Sequence, residues 1–138
     1  MQSDRFGLAL STSSSDAAQS YQGFVDAMLA SSDGAEQFVE AAVTADEGFA
    51  LMRIGDAYVR FANGDVSAAR AGAAEAVALS AGTTPRELSH VVALAAIING
   101  DFARSTVLVK DHVAEFPLDA LMVFVAQEGQ SMRGTSFV

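Results

Sequence analysis

The sequence predicts an all-α fold in which about seven helices form a stack of antiparallel pairs. Two observations carry this prediction. The chain has only two prolines in 138 residues, and alanine is its most frequent residue, so helix propensity is high almost throughout. In addition, the tripeptide Asn63-Gly64-Asp65 returns as Asn99-Gly100-Asp101. A turn that recurs at a fixed interval is typical of a helical-repeat protein.

Residues 1–14 are predicted to form an irregular arm, and residues 15–138 a single helical-repeat domain. Gly7 and the polar run that ends at Ser14 disfavour regular structure in the arm, whereas Ser14 or Ser15 can cap the helix that follows. This first helix is expected over about residues 16–30. Its apolar residues recur at helical spacing: Tyr21, Phe24, Val25, Met28 and Leu29.

The next three helices are separated by turns that contain glycine. We expect a second helix over about residues 35–45 and a third over about residues 49–62, which is so apolar that it requires neighbours on several sides. Gly64 can adopt the left-handed conformation that ends the third helix, and Asp65 can cap the fourth, over about residues 66–80. The same tripeptide therefore ends one helix and starts the next.

The fifth helix has the clearest start in the chain. Thr84-Pro85-Arg86-Glu87 combines a threonine cap, a proline in the first turn and a glutamate three residues after the cap. This helix continues to Ile98, and a sixth follows the second Asn-Gly-Asp turn and is closed by Pro117. A seventh helix is expected over about residues 119–127, because Gly129 and Gly134 weaken any continuation.

The two Asn-Gly-Asp copies lie 36 residues apart, close to the 34 residues of a tetratricopeptide unit. At the same offset, three further pairs of positions are apolar in both copies: Val66 and Phe102, Val77 and Val113, Tyr58 and Leu94. The pattern therefore predicts a tetratricopeptide-like, right-handed stack. The first six helices form three consecutive pairs in this prediction, and the seventh has no partner.

The unpaired seventh helix predicts an apolar face at the end of the stack. Its expected association surface comprises Leu118, Leu121, Met122 and Val125. Three explanations stay open: the helix is an amphipathic cap, it forms a homodimer, or the chain is the front part of a longer solenoid.

Composition excludes several classes of site and partner. Cysteine is absent, which removes disulfides, thiol catalysis and thiolate zinc sites and fits a reducing compartment. No signal-like segment and no run of 18 apolar residues occurs, so we expect a cytoplasmic protein without a membrane span. The 17 acidic residues outnumber the 8 basic residues, so a nucleic acid is not an expected partner.

The acidic residues are concentrated in the first part of the chain. Between residues 1 and 50, Arg5 is the single basic residue, against eight acids. This distribution has two interpretations: an acidic face that attracts a basic partner, or a solvated surface that keeps the protein in solution. The eight acids are Asp4, Asp16, Asp26, Asp33, Glu36, Glu40, Asp46 and Glu47.

Several short motifs, in their order and spacing, resemble the N-terminal part of the tetratricopeptide repeat protein 38 family. The resemblance covers nearly the whole chain and implies a helical-repeat fold, but it supplies no catalytic residue. Members of this family continue with further repeats, which implies a fragment or a short paralogue. The motifs are Arg5-Phe6-Gly7-Leu8, Ser13-Ser14-Ser15-Asp16-Ala17-Ala18, Tyr21, Phe49-Ala50-Leu51, Thr84-Pro85-Arg86-Glu87 with His90, Gly100-Asp101 and Pro117-Leu118-Asp119-Ala120.

The chain offers little catalytic chemistry. Glu87 and His90 have the Glu-x-x-His spacing of di-metal helical bundles, but such a site needs a second copy and more carboxylates. We therefore expect Glu87 to cap its helix and His90 to form a local hydrogen bond at a helix interface. His112 is expected on the exposed side of the sixth helix, and no nucleophile-elbow motif supports a Ser-His-Asp site. The sequence thus predicts no catalytic residue, no cofactor and no metal.

The leading functional prediction is a non-catalytic protein-protein interaction module with a groove for a protein or peptide partner, and a basic partner is one candidate. Arg53, Tyr58 and His90 are the candidate groove residues, although Arg53 and Arg60 are also expected to pair with nearby acids such as Asp56. The alternative is an accessory or N-terminal part of a larger helical-repeat enzyme or small-molecule-binding assembly that self-associates through the last helix.

Overall fold

The chain is all-helical, as predicted. The computed structural model describes the backbone of residues 1–136 and the side chains of residues 1–129. Within this part the first six helices begin and end within two residues of the predicted positions. The helices are α1 Ser15–Leu29, α2 Ala35–Ala45, α3 Ala50–Ala62, α4 Val66–Leu79, α5 Pro85–Ile98, α6 Phe102–Glu115 and α7 Ala120–Ser136.

The N-terminal arm contains a small antiparallel ladder that the sequence does not predict. Strand β1, Gln2–Ser3, pairs with β2, Ala9–Leu10. The carboxylate of Asp4 closes the turn between them, since it accepts the backbone N–H groups two and four residues further on, each at 2.9 Å. Leu10 is completely buried and anchors the arm in the core. The arm then ends where Ser14 caps α1, as expected.

Both Asn-Gly-Asp turns end one helix and begin the next, as predicted. Gly64 and Gly100 have φ angles of +89° and +78°, in the left-handed region that residues with a Cβ rarely adopt. Asp65 and Asp101 then cap the helices that follow. Each side chain accepts the backbone N–H three residues further on, at 3.4 and 3.3 Å.

The helices pack as three consecutive pairs and a seventh helix. The closest packing joins α1 to α2, α3 to α4 and α5 to α6, whereas α7 contacts both α6 and α1. Helices from the two ends of the chain therefore meet. The large side chains of the core are completely buried: Leu10, Phe24, Phe49, Leu51, Met52, Ile54, Leu94, Ile98 and Met122.

The predicted association surface on the seventh helix needs correction. Leu121, Met122 and Val125 are 2%, 0% and 5% exposed, because the face of α7 that carries them packs into the core of the same chain. Leu118, which precedes the helix, is 54% exposed. Three of the four predicted residues are thus unavailable to a second copy.

The predicted end of the seventh helix is also wrong, since α7 continues past Gly129 to Ser136. A glycine inside a helix costs only about 1 kcal/mol relative to alanine. The helix also packs against α1 and α6, and tertiary packing commonly overrides a preference of that size. Within the described residues, no helix combines the length and the apolarity needed to cross a membrane.

The left-handed glycine turns give the first prediction. Gly64→Ala should lower the free energy of unfolding by about 1–2 kcal/mol, the cost of a left-handed residue that carries a Cβ. Among the described side chains and backbone, no heavy atom apart from those of the two chain neighbours lies within 4 Å of the Cβ position at Gly64, so the variant tests backbone strain. Gly82→Ala is the matched control, because its surroundings are equally open and its φ is not positive. Urea denaturation that gives the same loss for both variants would contradict this explanation.

Candidate functional site

A group of polar side chains lies inside the fold, between α5, α6 and the start of α7. Arg86, His90, His112 and Asp119 are each at most 5% exposed. Ionisable side chains are rarely buried this completely unless they are paired with one another. These four residues and Ser89, which bonds to His112, are called the Asp119 network below.

One carboxylate oxygen is the centre of this network. Oδ2 of Asp119 lies 2.8 Å from Nδ1 of His90 and 2.8 Å from Nε2 of His112. The guanidinium Nη1 of Arg86 lies 3.5 Å from the same oxygen. The other oxygen, Oδ1, accepts the backbone N–H of Met122 at 3.5 Å, so Asp119 also caps α7. A single side chain therefore contacts α5, α6 and α7.

The electrostatic environment keeps Asp119 ionised. Burial opposes the charged form, but the two histidines and Arg86 outweigh burial and hold the pKa of this carboxyl well below its usual range. An ionised carboxylate can only accept hydrogen bonds. The ring nitrogens that face it, Nδ1 of His90 and Nε2 of His112, therefore each carry a proton when they bond to Oδ2.

The N-terminal arm is bound to the first turn of α5, next to the Asp119 network. Glu87 is completely buried, and its carboxylate accepts the backbone N–H of Ser11 at 2.9 Å and the Ser11 hydroxyl at 2.6 Å. Glu87 also completes the capping box with Thr84 that the sequence predicts. Arg86 reaches the arm too, because its Nη2 donates to the carbonyl of Ala9 at 3.0 Å.

A small cavity borders this region. It has a volume of about 10 Å³ and is lined in part by Tyr21, Arg86 and Asp119. Burial is the main cause that raises the pKa of the Tyr21 phenol, and the negative charge of Asp119 raises it further. Among the residues with described side chains, Nε of Arg86 and Nε2 of His90 are buried without a hydrogen-bond partner.

The structure confirms one histidine prediction in part and overturns the other. His90 forms a hydrogen bond at a helix interface, as expected, although its partner is the distant Asp119. His112 is only 1% exposed, so its expected position on the exposed side of α6 is wrong. The face of α6 that carries it packs against α5, where Ser89 bonds to Nδ1 at 2.7 Å. For Asp119, the sequence predicts only the start of α7.

Ser89, His112 and Asp119 form a continuous chain of hydrogen bonds, with the composition of a hydrolase triad. Acyl transfer also needs space for a substrate carbonyl and free N–H donors for its oxyanion. Ser89 lies inside α5, where backbone N–H groups bond to the preceding turn, and it does not line the small cavity beside Asp119. The chain of bonds therefore orients His112.

A second feature lies on the surface, between the first two helix pairs. It is a groove of about 510 Å³ between α2 and the C-terminal part of α3, closed at one end by the first Asn-Gly-Asp turn. Such a gap follows from the packing, since α2 packs mainly on α1 and α3 mainly on α4. This acidic groove is lined by Glu36, Val39, Glu40, Val43, Thr44, Asp56, Val59, Arg60, Asn63 and Asp65.

The lining of the acidic groove includes four carboxylates and one guanidinium. Arg60 lies 3.2 Å from Asp56, a pair that the sequence predicts, and 3.9 Å from Asp65. Glu36 accepts a hydrogen bond from the Asn63 side chain at 3.4 Å. Among the described side chains, no cation pairs with Glu36 or Glu40. Their charges are therefore open to solvent.

The candidate groove residues from the sequence do not come together. His90 cannot line a groove, because it is completely buried in the Asp119 network. Arg53 forms an ion pair with Glu75 of α4. Tyr58 is half-buried. Its burial raises the pKa of its phenol, and the negative charge of Glu128 raises it further. Other residues line the acidic groove. The charge distribution in the sequence predicts its acidic character but not its residues.

Comparisons with protein-family models, with curated proteins and with solved structures find no match for this chain. The resemblance to the tetratricopeptide repeat protein 38 family therefore stays a prediction. The interpretation of the Asp119 network and of the acidic groove rests on their own geometry.

The second prediction concerns the centre of the network. Asp119→Asn should lower the free energy of unfolding by about 3–5 kcal/mol, because it removes one member of a buried charged group and leaves the others unpaired. Asp111→Asn is the control, since Asp111 is exposed on α6 and the change should cost no more than about 0.5 kcal/mol. Chemical denaturation followed by circular dichroism measures both, and similar midpoints would refute the stabilising role of the network.

Proposed function

We propose that this chain is a non-catalytic interaction module of tetratricopeptide-like type that binds a basic segment of a partner protein in the acidic groove. The observation that carries the proposal is the excess of carboxylates over cations around a groove with an apolar floor. Such a lining favours lysine or arginine side chains and repels acidic ones. The recurring turn and the three consecutive helix pairs support the tetratricopeptide-like part of the proposal.

The spacing of the groove glutamates suggests how a ligand binds. Glu36 and Glu40 lie one helical turn apart on α2, a rise of about 6 Å. Alternate residues of an extended peptide are separated by about 6.6 Å, so two lysines at positions i and i+2 match the two glutamates. A small apolar side chain can then contact Val39, Val43 and Val59 on the floor. The proposed ligand is an extended segment with alternate basic residues.

The expected binding is weak and sensitive to salt. Exposed ion pairs contribute about 0.2–1 kcal/mol each, because water and ions screen them. Two such pairs and a few valine contacts give an affinity in the micromolar range or weaker, unless the partner also contacts neighbouring surfaces. The groove therefore favours a reversible interaction rather than a permanent subunit contact.

The third prediction tests the groove by charge reversal. A fluorescein-labelled peptide with lysine at alternate positions should bind the full chain, as measured by fluorescence anisotropy. The double variant Glu36→Lys, Glu40→Lys should weaken binding at least tenfold, because attraction becomes repulsion. Binding should also decrease steeply as the salt concentration rises.

The matched control is the double variant Asp111→Lys, Glu115→Lys. It changes the net charge by the same amount at exposed positions of α6, outside the acidic groove. Its affinity should stay close to that of the original chain. Equal losses in the two double variants would show that net charge, not the groove, attracts the peptide, and the proposal would be abandoned.

A further inference from the structure

The centre of the Asp119 network brings together three groups that commonly bind metal ions. One nitrogen each from His90 and His112 and a carboxylate oxygen of Asp119 lie within 4.8 Å of one another. We propose that these three residues bind a divalent transition metal ion, with Zn²⁺ the best fit. The inference is independent of the acidic groove, which shares no residue with this site.

The donor set indicates the class of metal. Two imidazole nitrogens and one carboxylate oxygen suit Zn²⁺, Co²⁺ and related ions, whereas Mg²⁺ and Ca²⁺ prefer oxygen ligands only. Around a tetrahedral Zn²⁺ with bonds of 2.0–2.1 Å, ligand atoms lie about 3.3 Å apart. The ring nitrogens now lie 2.8 Å from Oδ2 of Asp119. Each of these two nitrogen–oxygen distances therefore needs to lengthen by only about 0.5 Å, and the two nitrogens already lie within 4.8 Å of each other.

Groups around two of the three residues, His112 and Asp119, are placed as the outer partners of metal ligands usually are. Ligating histidines and carboxylates are commonly oriented by further hydrogen bonds. Ser89 bonds to the nitrogen of His112 that faces away from the site, at 2.7 Å. The carboxylate of Asp119 is held on one side by the N–H of Met122 and on the other by Arg86.

Arg86 does not block such a site. Its Nη1 lies 3.5 Å from Oδ2, further than either histidine, and its Nη2 is held by the carbonyl of Ala9. A carboxylate oxygen has more than one lone pair, so Asp119 can bind an ion and accept from Arg86 at the same time. Three protein ligands leave the fourth position of a tetrahedral ion for water.

The proposed ion has a structural role. Its ligands come from α5, α6 and the residue that caps α7, so binding would hold three helices together at one point. An ion that binds the folded chain more tightly than the unfolded chain raises the melting temperature. Burial of all three ligands leaves no open surface on which a substrate could approach the ion.

The experiment uses the full chain without a histidine tag, after treatment with a chelator, and titrates it with Co²⁺. We expect one Co²⁺ per chain, visible absorption bands of a four- or five-coordinate ion, displacement of Co²⁺ by Zn²⁺ and a higher melting temperature with either ion. No visible bands, or no binding at one equivalent, in the folded original chain would overturn the proposal.

Three variants locate the ion. His112→Gln removes a ligand and should abolish the bands, while circular dichroism reports whether the variant folds. Ser89→Ala keeps every ligand and should weaken Co²⁺ binding by about 10–100-fold, the usual effect of losing an outer partner. The groove variant Glu36→Lys, Glu40→Lys should leave the bands unchanged. Unchanged affinity in Ser89→Ala, or loss of the bands in the groove variant, would place the ion elsewhere and refute the assignment.

Discussion

The arrangement of the last three helices depends on one carboxylate oxygen. Oδ2 of Asp119 accepts from His90 and His112 and lies beside Arg86, in the interior of the fold. Removing a charge from water costs several kcal/mol, so a buried aspartate is tolerated only when donors surround it. Here two helices supply those donors. The hydrogen bonds to Oδ2 therefore form only when α5 and α6 have the correct rotation and axial position relative to Asp119.

The same requirement extends to the N-terminal arm and to α7. Arg86, which faces Asp119, also holds the backbone of β2, and its neighbour Glu87 holds the residue that follows β2. Apolar packing alone is non-directional, so Leu121 and Met122 could be buried in several orientations of α7. The cap that Asp119 gives to α7 selects one orientation, which we interpret as specificity added to hydrophobic burial.

Local chemistry in the sequence predicts most helix boundaries. The Asn-Gly-Asp turns and the Thr84 capping box act over three or four residues, so the sequence alone identifies them. The Asp119 network could not be predicted in this way, because His90 and Asp119 are 29 residues apart and meet only through packing. The length of α7 and the burial of His112 were missed for the same reason. Both depend on which faces of neighbouring helices meet.

The distribution of charge in the first 50 residues supports the proposal that the acidic groove binds a basic partner. Several acids there have local partners: Asp26 pairs with Arg5, Asp46 accepts from Thr12, and Asp4 closes its own turn. Glu36 and Glu40 instead face a gap left between two helix pairs, where a valine floor lies beneath them. Charges placed only for solubility have no reason to surround an apolar cavity. Two carboxylates that lack a cationic partner among the described side chains, above an apolar floor, therefore favour the proposed binding surface over a face that is only solvated.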